Sequence, residues 1–535
     1  MKNNKFNFFI PILLSVFLSI GLLLGHYFSS KLSFGGSSYG SKGKESYQKI
    51  QDIIEILDNR YVDTINGDEL FEATIADMLH TLDPHSNYIP ARDLQSVNES
   101  IQGKFGGIGV RFFVIRDTIC VTHVIAHSPS EKVGIKAGDK IIKIENKVVA
   151  SKKISTDKIM SLLKGLENTA VNVTIARGKD LIQKKIVRGS IPISSISCSI
   201  LLNATTGFIK IDQFSVNTYD EFYEAAAELK AKGMTKLILD LRNNGGGVLM
   251  SATKIVDEFL PGGLPIVSTK GEHSKDYTYT STRGGLLEQT ALTILINANS
   301  ASASEIVAGA IQDNDRGTIV GRRSFGKGLV QEDVQLRDGS NLRLTIARYY
   351  TPTGRCIQKS YSGDYEEYYQ DQYDRFENGE LYAPDSSVFV DSLKFKTPKG
   401  KIVYGGGGIM PDVFVPFDSS GMGYYFTSLR YTAIFQMFAF DFVQNKRSKW
   451  YAPSEFNKSF QVSDELLKSF TIYAEKELGL KQDFTEIKHS KSILKRTLKA
   501  EIARQLWEEQ GYFTVMNSFD SEVLKCLEIM KGNKN

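Results

Sequence analysis

Two short stretches of this chain carry side chains that could together attack a peptide bond. One is the small-residue run Ser300–Glu305, which contains three serines, and the other is Lys327 between two glycines. The serine run follows a buried apolar strand and predicts a helix start, where backbone N–H groups can hold an oxyanion. No histidine lies between Ala291 and Ser360, so the local candidate base is the Lys327 amine. This pairing predicts a serine–lysine peptidase, and the spacing alone leaves open which of the three serines attacks.

A lysine base requires an unusual environment. In water only about one lysine amine in 2,500 is neutral at pH 7, and burial can lower the pKa by up to about 3–5 units. Lys327 also has a competing interpretation, because Gly321–Lys327 matches the first seven positions of a phosphate-binding P-loop. That motif continues with Ser or Thr and a helix, whereas here Gly328 is followed by a predicted strand. The sequence therefore disfavours nucleotide binding.

The composition excludes several other classes. The 535 residues carry 65 basic and 61 acidic side chains, a net charge of +4, which gives no reason to expect a nucleic-acid partner. The four cysteines are far apart and without CxxC spacing, which predicts neither disulfides nor a zinc site. No HExxH phrase occurs among the seven histidines, which disfavours a metallopeptidase, and His85 after Pro84 is predicted to be a turn residue. We expect no metal and no cofactor.

The N-terminus predicts a membrane segment. Lys2 and Lys5 precede the uncharged apolar run Phe8–Phe28, which has about the 20 residues needed to cross a bilayer. A cleaved signal peptide shares this layout, but no small-x-small cleavage site follows the run. The sequence favours an uncleaved anchor over residues 1–30. The basic residues before it predict a single-pass inner-membrane protein with its catalytic part in the periplasm.

The rest of the chain predicts several domains. Residues 31–46 form a Gly- and Ser-rich linker, and residues 47–102 have helical periodicity. Residues 191–416 alternate strand, polar loop and helix, which predicts a layered α/β core, and residues 417–535 are predicted to be a helical extension. Within the core, the acidic, tyrosine-dense stretch Tyr361–Tyr382 is predicted to be an exposed insertion.

Residues 103–190 are predicted to be a small β domain. Their phrases "FGGIGV" and "SPSEKVGIKAGDKIIKIENKVV" resemble a PDZ domain, and Thr156 or Asp157 is expected to cap its helix. PDZ domains hold a C-terminal carboxylate on a glycine loop while the peptide adds a strand. The resemblance implies that Gly107, Ile108 and Gly109 bind the carboxylate.

Six further phrases occur in order from Leu82 to Asp412: "LDPHSNY", "LILDLRNNGGG", "NSASASEIVAGAIQD", "VGRRSFGKGLVQ", "YYTPTGRCIQ" and "GGIMPD". Together they resemble the C-terminal processing peptidases, or tail-specific proteases, of family S41. The resemblance implies a crotonase/ClpP-like α/β peptidase core with an inserted PDZ-like domain.

The same resemblance assigns the site residues. Ser302 would be the nucleophile, Lys327 the base and Gln331 the residue that orients the lysine. Backbone N–H groups of Ala303 and of Gly246 or Gly247 would hold the oxyanion. The other two serines of the run are expected to cap the helix.

The sequence thus predicts a membrane-anchored serine endopeptidase that recognises the C-terminal tail of a protein substrate and cuts nearby. The alternative is a scaffold that binds C-terminal tails without cutting them, and the intact Ser302–Lys327 pair argues against it. The sequence leaves the natural substrate and homo-oligomerisation open.

Overall fold

The computed structural model describes residues 41–361, 365–385 and 390–532. The chain divides into two compact units, residues 1–75 and 76–535. Helix α1, Ser41–Arg60, belongs to the first unit, and helix α2 covers Gly67–His80. Helix α2 is followed by strand β1, Asn87–Ile89, and helix α3, Ala91–Gln102. The small β domain, the α/β core and the helical end of the chain all belong to the second unit.

The predicted membrane anchor, Phe8–Phe28, lies outside the described residues. Within the described part of the chain, no helix combines the length and the apolar character needed to cross a bilayer. The prediction of a single-pass inner-membrane protein with its catalytic part in the periplasm is therefore wrong on this finding.

Residues 104–192 form a small β domain. Its elements are β2 Lys104–Gly107, β3 Val110–Ile115, β4 Thr118–Val124, α4 Pro129–Lys132, β5 Lys140–Ile144, β6 Lys147–Val148, α5 Thr156–Leu163, β7 Ala170–Arg177, β8 Asp180–Val187 and β9 Gly189–Pro192. The main sheet has the order β3-β4-β5-β7-β8, with β6 beside β5, while β2 pairs with β9. Apolar side chains of the sheet and of α5 fill its core. Ser155 caps α5, one residue before the predicted cap, because its side chain accepts from the Lys158 N–H.

The α/β core is built on a six-stranded sheet. Its elements are β10 Ile196–Leu201, β11 Thr206–Ile211, α6 Thr218–Ala231, β12 Lys236–Asp240, α7 Leu249–Asp257, β15 Ala291–Ile296, α8 Ala303–Asp313, β16 Thr318–Gly321 and β21 Val413–Phe414. The strand order is β10-β11-β12-β15-β16-β21, parallel except for β10. Alternate residues of the strands point to opposite faces, and both faces are apolar, as expected for a parallel sheet covered on both sides. Helices α6, α7 and α8 cover one face.

A second sheet lies beside this core. Its further strands are β13 Pro265–Gly271, β14 Ser274–Thr280, β17 Leu329–Gln335 and β18 Asn341–Tyr350. The strand order is β1-β18-β13-β14, and β17 also pairs with β18. In the β17–β18 register Gln331 is opposite Thr345.

Helix α9, Tyr365–Glu377, lies in the predicted insertion, and most of its residues are exposed as expected. Its residues Tyr368 and Arg375 are buried. Tyr368 packs in a cluster with Phe325, and the Arg375 guanidinium donates to the carbonyl of Ser324 at 2.9 Å. The helix therefore supports the loop that carries Lys327. Strands β19 Lys394–Lys396 and β20 Ile402–Tyr404 follow as a hairpin.

The helical end of the chain contacts both preceding domains. Its helices are α10 Tyr424–Arg430, α11 Ile434–Val443, α12 Pro453–Ser459, α13 Asp464–Leu478, α14 Phe484–His489, α15 Lys491–Met516 and α16 Ser521–Gly532. The Arg116 guanidinium at the β3–β4 turn donates to Glu477 at 2.8 Å and to Asp441 at 3.0 Å. On the core side, α16 covers the second face of the large sheet.

Candidate active site

Ser302 lies at the start of α8 with an unusual backbone. Its φ is +55° with ψ −113°, a positive φ that is uncommon outside glycine and often found at functional sites. The conformation is held on two sides. The Ser302 N–H donates to the Glu305 carboxylate at 2.8 Å, and the Ser302 carbonyl accepts from the Tyr349 hydroxyl at 3.1 Å. Its side chain lines a cleft of about 520 Å³.

The other two serines of the run have different roles. The Ser300 hydroxyl donates to the Leu241 carbonyl at 2.9 Å, and the Ser304 hydroxyl donates to the Asn244 carbonyl at 2.9 Å. Both side chains are fully buried. Ser304 anchors the loop after β12 to α8, and Ser300 anchors it to the turn before α8. The prediction that these two serines cap the helix is therefore wrong. Ser302 is the serine of this run that lines the cleft.

Lys327 lines the same cleft. Its amine donates to the Gln331 Oε1 at 2.8 Å. Burial, and secondarily the positive charge of Arg343, lower the pKa of the Lys327 amine to about 8, although Asp83 and Glu305 act in the opposite direction. A substantial fraction of the amine is therefore neutral just above neutral pH, as a general base requires.

Two buried groups bring the backbones of Ser302 and Lys327 together. One oxygen of Glu305, Oε2, accepts from the Ser302 N–H at 2.8 Å and from the Lys327 N–H at 2.9 Å. The Tyr349 hydroxyl is within hydrogen-bond distance of both carbonyls, 3.1 Å from that of Ser302 and 2.5 Å from that of Lys327. Residues far apart in sequence are thus fixed around one carboxylate and one phenol.

Sequence reasoning missed Glu305. Its carboxylate is fully buried, and it also accepts from the Ser324 hydroxyl at 2.5 Å and the Gly326 N–H at 2.7 Å. Burial raises its pKa to about 7, while these donors lower it. The signal was present in the sequence, because Ser302 and Glu305 have the S-x-x-E spacing of a capping box.

The loop after β12 approaches Ser302 closely. Gly246 has φ +100°, and a Cβ added there would lie 2.7 Å from the Ser302 Cβ. Gly247 has φ +137°, and its added Cβ would lie 2.0 Å from the Phe214 carbonyl oxygen. Glycine is therefore required at both positions. Gly246 was one of the predicted oxyanion donors. Its N–H already donates to the Asn244 Oδ1 at 2.9 Å.

We expect Gly246→Ala to lower kcat by about 100-fold or more, because the new methyl group would displace Ser302 and the loop N–H groups. The neighbouring Gly245 provides a matched control, since an added Cβ there meets nothing within 4 Å. Peptide cleavage assays and thermal melts of both variants test this. Equal kcat for Gly246→Ala and Gly245→Ala would contradict the close packing of the loop on Ser302.

The predicted carboxylate loop lies between β2 and β3. Gly107, Ile108 and Gly109 are buried, and Gly109 has φ +79°. The Ile108 carbonyl accepts from the Ser130 N–H at 2.9 Å, which fixes the loop against α4. Within the described residues, strand β3 pairs with β4 and forms one edge of its sheet. An edge strand that follows a glycine loop is the arrangement by which a peptide can add a strand.

His85 lies beside the site, and its ring contacts Tyr368. Its Nε2 is 2.9 Å from the Tyr368 hydroxyl, and burial together with the charge of Lys327 lowers its pKa to about 3. The ring is therefore neutral at physiological pH. Its backbone carbonyl accepts from the Gln331 Nε2 at 2.6 Å.

Profiles of known families match four parts of the chain. Peptidase family S41 matches residues 205–366, and the PDZ domain matches residues 106–186. The N-terminal domain of the activating protease CtpB matches residues 29–92, and a family of unknown function, DUF8443, matches residues 425–508.

Curated proteins and solved structures also resemble the chain. The carboxy-terminal-processing protease of Bartonella bacilliformis is 38% identical over 314 residues, covering 57% of this chain and 71% of that protein. A probable CtpA-like serine protease of Staphylococcus aureus (strain MRSA252) is 34% identical over 325 residues, covering 60% of this chain and 64% of that protein. Among solved structures, the photosystem II D1 C-terminal processing protease is 26% identical with a TM-score of 0.32, covering 57% of this chain and 88% of that one.

These matches confirm the mixed α/β fold with a PDZ domain. They also confirm the resemblance drawn from the sequence phrases. The chain therefore belongs to the carboxy-terminal-processing proteases of peptidase family S41 and is a serine-type peptidase.

Proposed function

We propose that this peptidase cleaves proteins near their C-termini, with Ser302 as nucleophile and Lys327 as general base. The observation that carries the proposal is the cleft that both Ser302 and Lys327 line, with the lysine amine donating to Gln331 at 2.8 Å. The lowered pKa of Lys327 supports its role as base.

In this mechanism the Ser302 Oγ attacks the scissile carbonyl carbon while its proton passes to the Lys327 amine. The N–H groups of Ala303 and Gly247 then stabilise the oxyanion, since the Gly246 N–H already donates to Asn244. The protonated amine gives its proton to the leaving nitrogen, which leaves an acyl-enzyme. Water, deprotonated by the same amine, then attacks the acyl carbon. The bond from this carbon to the Ser302 Oγ breaks, the amine returns its proton to that oxygen, and the new C-terminus is released.

The PDZ domain supplies the preference for tails. We propose that the loop Gly107–Gly109 binds the substrate carboxylate and that the tail pairs with the edge strand β3. A scaffold that only binds tails would not need a buried amine with a pKa lowered to about 8 in the cleft that Ser302 also lines.

A tailed protein substrate tests this function. We expect cleavage near its C-terminus, mapped by mass spectrometry, and a loss of about tenfold in kcat/KM when the terminal carboxylate is amidated, because the amide removes a charge-assisted contact. Gly109→Ala should reproduce the loss, since its added Cβ would lie 2.3 Å from the Ser128 Cβ.

Gly178→Ala is the matched control. It has a positive φ in the same domain, and an added Cβ there meets nothing within 4 Å. Equal cleavage of free and amidated tails would refute tail recognition. Absence of any cleavage would favour the scaffold.

A further inference from the structure

The orientation of the Gln331 amide decides whether Lys327 can act as a base. Gln331 Oε1 accepts from the Lys327 amine at 2.8 Å, and Gln331 Nε2 donates to the His85 carbonyl at 2.6 Å. A carbonyl oxygen can only accept, so His85 selects the orientation in which the amide oxygen faces the lysine.

This orientation leaves the base free. A neutral amine has two N–H donors and one lone pair. When one N–H is donated to Gln331 Oε1, the lone pair remains available for the Ser302 hydroxyl. A flipped amide would instead donate to that lone pair and occupy it.

The His85 carbonyl is held in place by Asp83. The Asp83 Oδ1 accepts from the His85 and Ser86 N–H groups, each at 2.8 Å, and from the Thr345 hydroxyl at 3.1 Å. Its Oδ2 accepts from the Ser86 hydroxyl at 2.6 Å. The turn is buried, with Asp83 only 6% exposed and Ser86 fully buried.

The turn is also fastened to the strand that faces Gln331. The Thr345 N–H donates to the Ser86 hydroxyl at 3.0 Å, and Thr345 lies opposite Gln331 in the β17–β18 register. On its outer side, the Tyr369 hydroxyl of α9 donates to the Pro84 carbonyl at 3.1 Å. The carbonyl that orients Gln331 is therefore fixed with respect to Gln331 itself.

We propose that Asp83 is a positioning residue for the reaction: it fixes the Asp83–Ser86 turn against Thr345, so that the His85 carbonyl keeps the Gln331 amide oxygen on Lys327. The proposal rests on the proposed role of Lys327 as base. It assigns a role in catalysis to a segment that lies before the PDZ domain and outside the match to family S41, within the match to the CtpB N-terminal domain.

A double-mutant cycle with Asp83→Ala and Gln331→Ala tests this proposal. We expect Asp83→Ala to lower kcat about tenfold and to leave KM within about twofold, because the turn orients the base and does not bind substrate. In the Gln331→Ala background the same change should alter kcat by less than about twofold, since no amide remains to be oriented. Asp83→Asn keeps an acceptor oxygen for the turn and should restore part of the lost kcat.

Controls separate this role from a general effect on folding. Asp257→Ala removes a carboxylate that accepts from the Thr282 N–H and hydroxyl elsewhere in the core, and it should leave kcat unchanged. If Asp83→Ala does not fold, Ser86→Ala removes the hydroxyl between Asp83 and Thr345 and serves in the same cycle.

The outcomes distinguish this inference from the function on which it rests. If the losses in kcat of Asp83→Ala and Gln331→Ala simply multiply in the double variant, Asp83 does not act through Gln331. That result, or an unchanged kcat in folded Asp83→Ala, would overturn the role of Asp83 and leave the proposed function standing. Full activity of Gln331→Ala by itself would instead contradict the proposed role of Gln331 beside Lys327.

Discussion

Ser302→Ala is expected to lower kcat/KM by about 10⁴-fold or more, because no hydroxyl remains to form the acyl-enzyme. The residual rate would come from substrate binding and the oxyanion donors alone. Steady-state cleavage of a tailed peptide measures the loss, and a thermal melt close to that of the unmodified protein shows that the fold is retained.

Labelling with a fluorophosphonate probe checks which serine is modified. We expect mass spectrometry to find the probe on Ser302 and not on Ser300 or Ser304, whose buried hydroxyls donate to loop carbonyls. Ser304→Ala should therefore still be labelled at Ser302. Retained cleavage by Ser302→Ala would exclude it as the nucleophile.

Lys327→Ala is expected to lower kcat by about 10³-fold or more at pH 7, since the serine proton would lose its proposed acceptor. Lys327→Arg is the sharper variant. It keeps a long cationic side chain, but a guanidinium is not deprotonated in proteins and cannot act as a base.

Comparing the two variants separates charge from basicity. If the lysine acted only by its positive charge, Lys327→Arg would retain most of the activity. We expect it to be as inactive as Lys327→Ala, with the Ser302 hydroxyl still present but not activated. Rapid-quench measurement of acyl-enzyme formation gives the rate at which Ser302 attacks the substrate in each variant.

The sequence allowed the candidate site residues to be proposed, but it did not allow the groups that hydrogen-bond to them to be predicted. Lys327 and Gln331 are close in sequence, so a loop followed by a strand suffices to bring them together. The partners that fix them are distant: the Tyr349 hydroxyl, the Glu305 carboxylate and the His85 carbonyl. No local pattern specifies which backbone group a tyrosine or a carbonyl will meet after folding.

The same limit applies to the fold. Alternating strand and helix patterns predicted the α/β core, because the apolar period is local. The burial of Tyr368 and Arg375 on α9 was not predicted, because the acidic composition of this stretch is typical of a solvated surface. Arg375 is buried through hydrogen bonds to the carbonyls of Ser324 and Phe325, which lie on a loop distant in sequence.

The pH dependence of acyl-enzyme formation tests the central claim most directly. The amine is active when neutral, so a pKa of about 8 means that the rate rises with pH and reaches a plateau above that value. His85, with a pKa of about 3, does not contribute to this rise. We predict a single rise with its midpoint near pH 8. A rate that does not change between about pH 6 and pH 10 would contradict a neutral Lys327 as the base for Ser302.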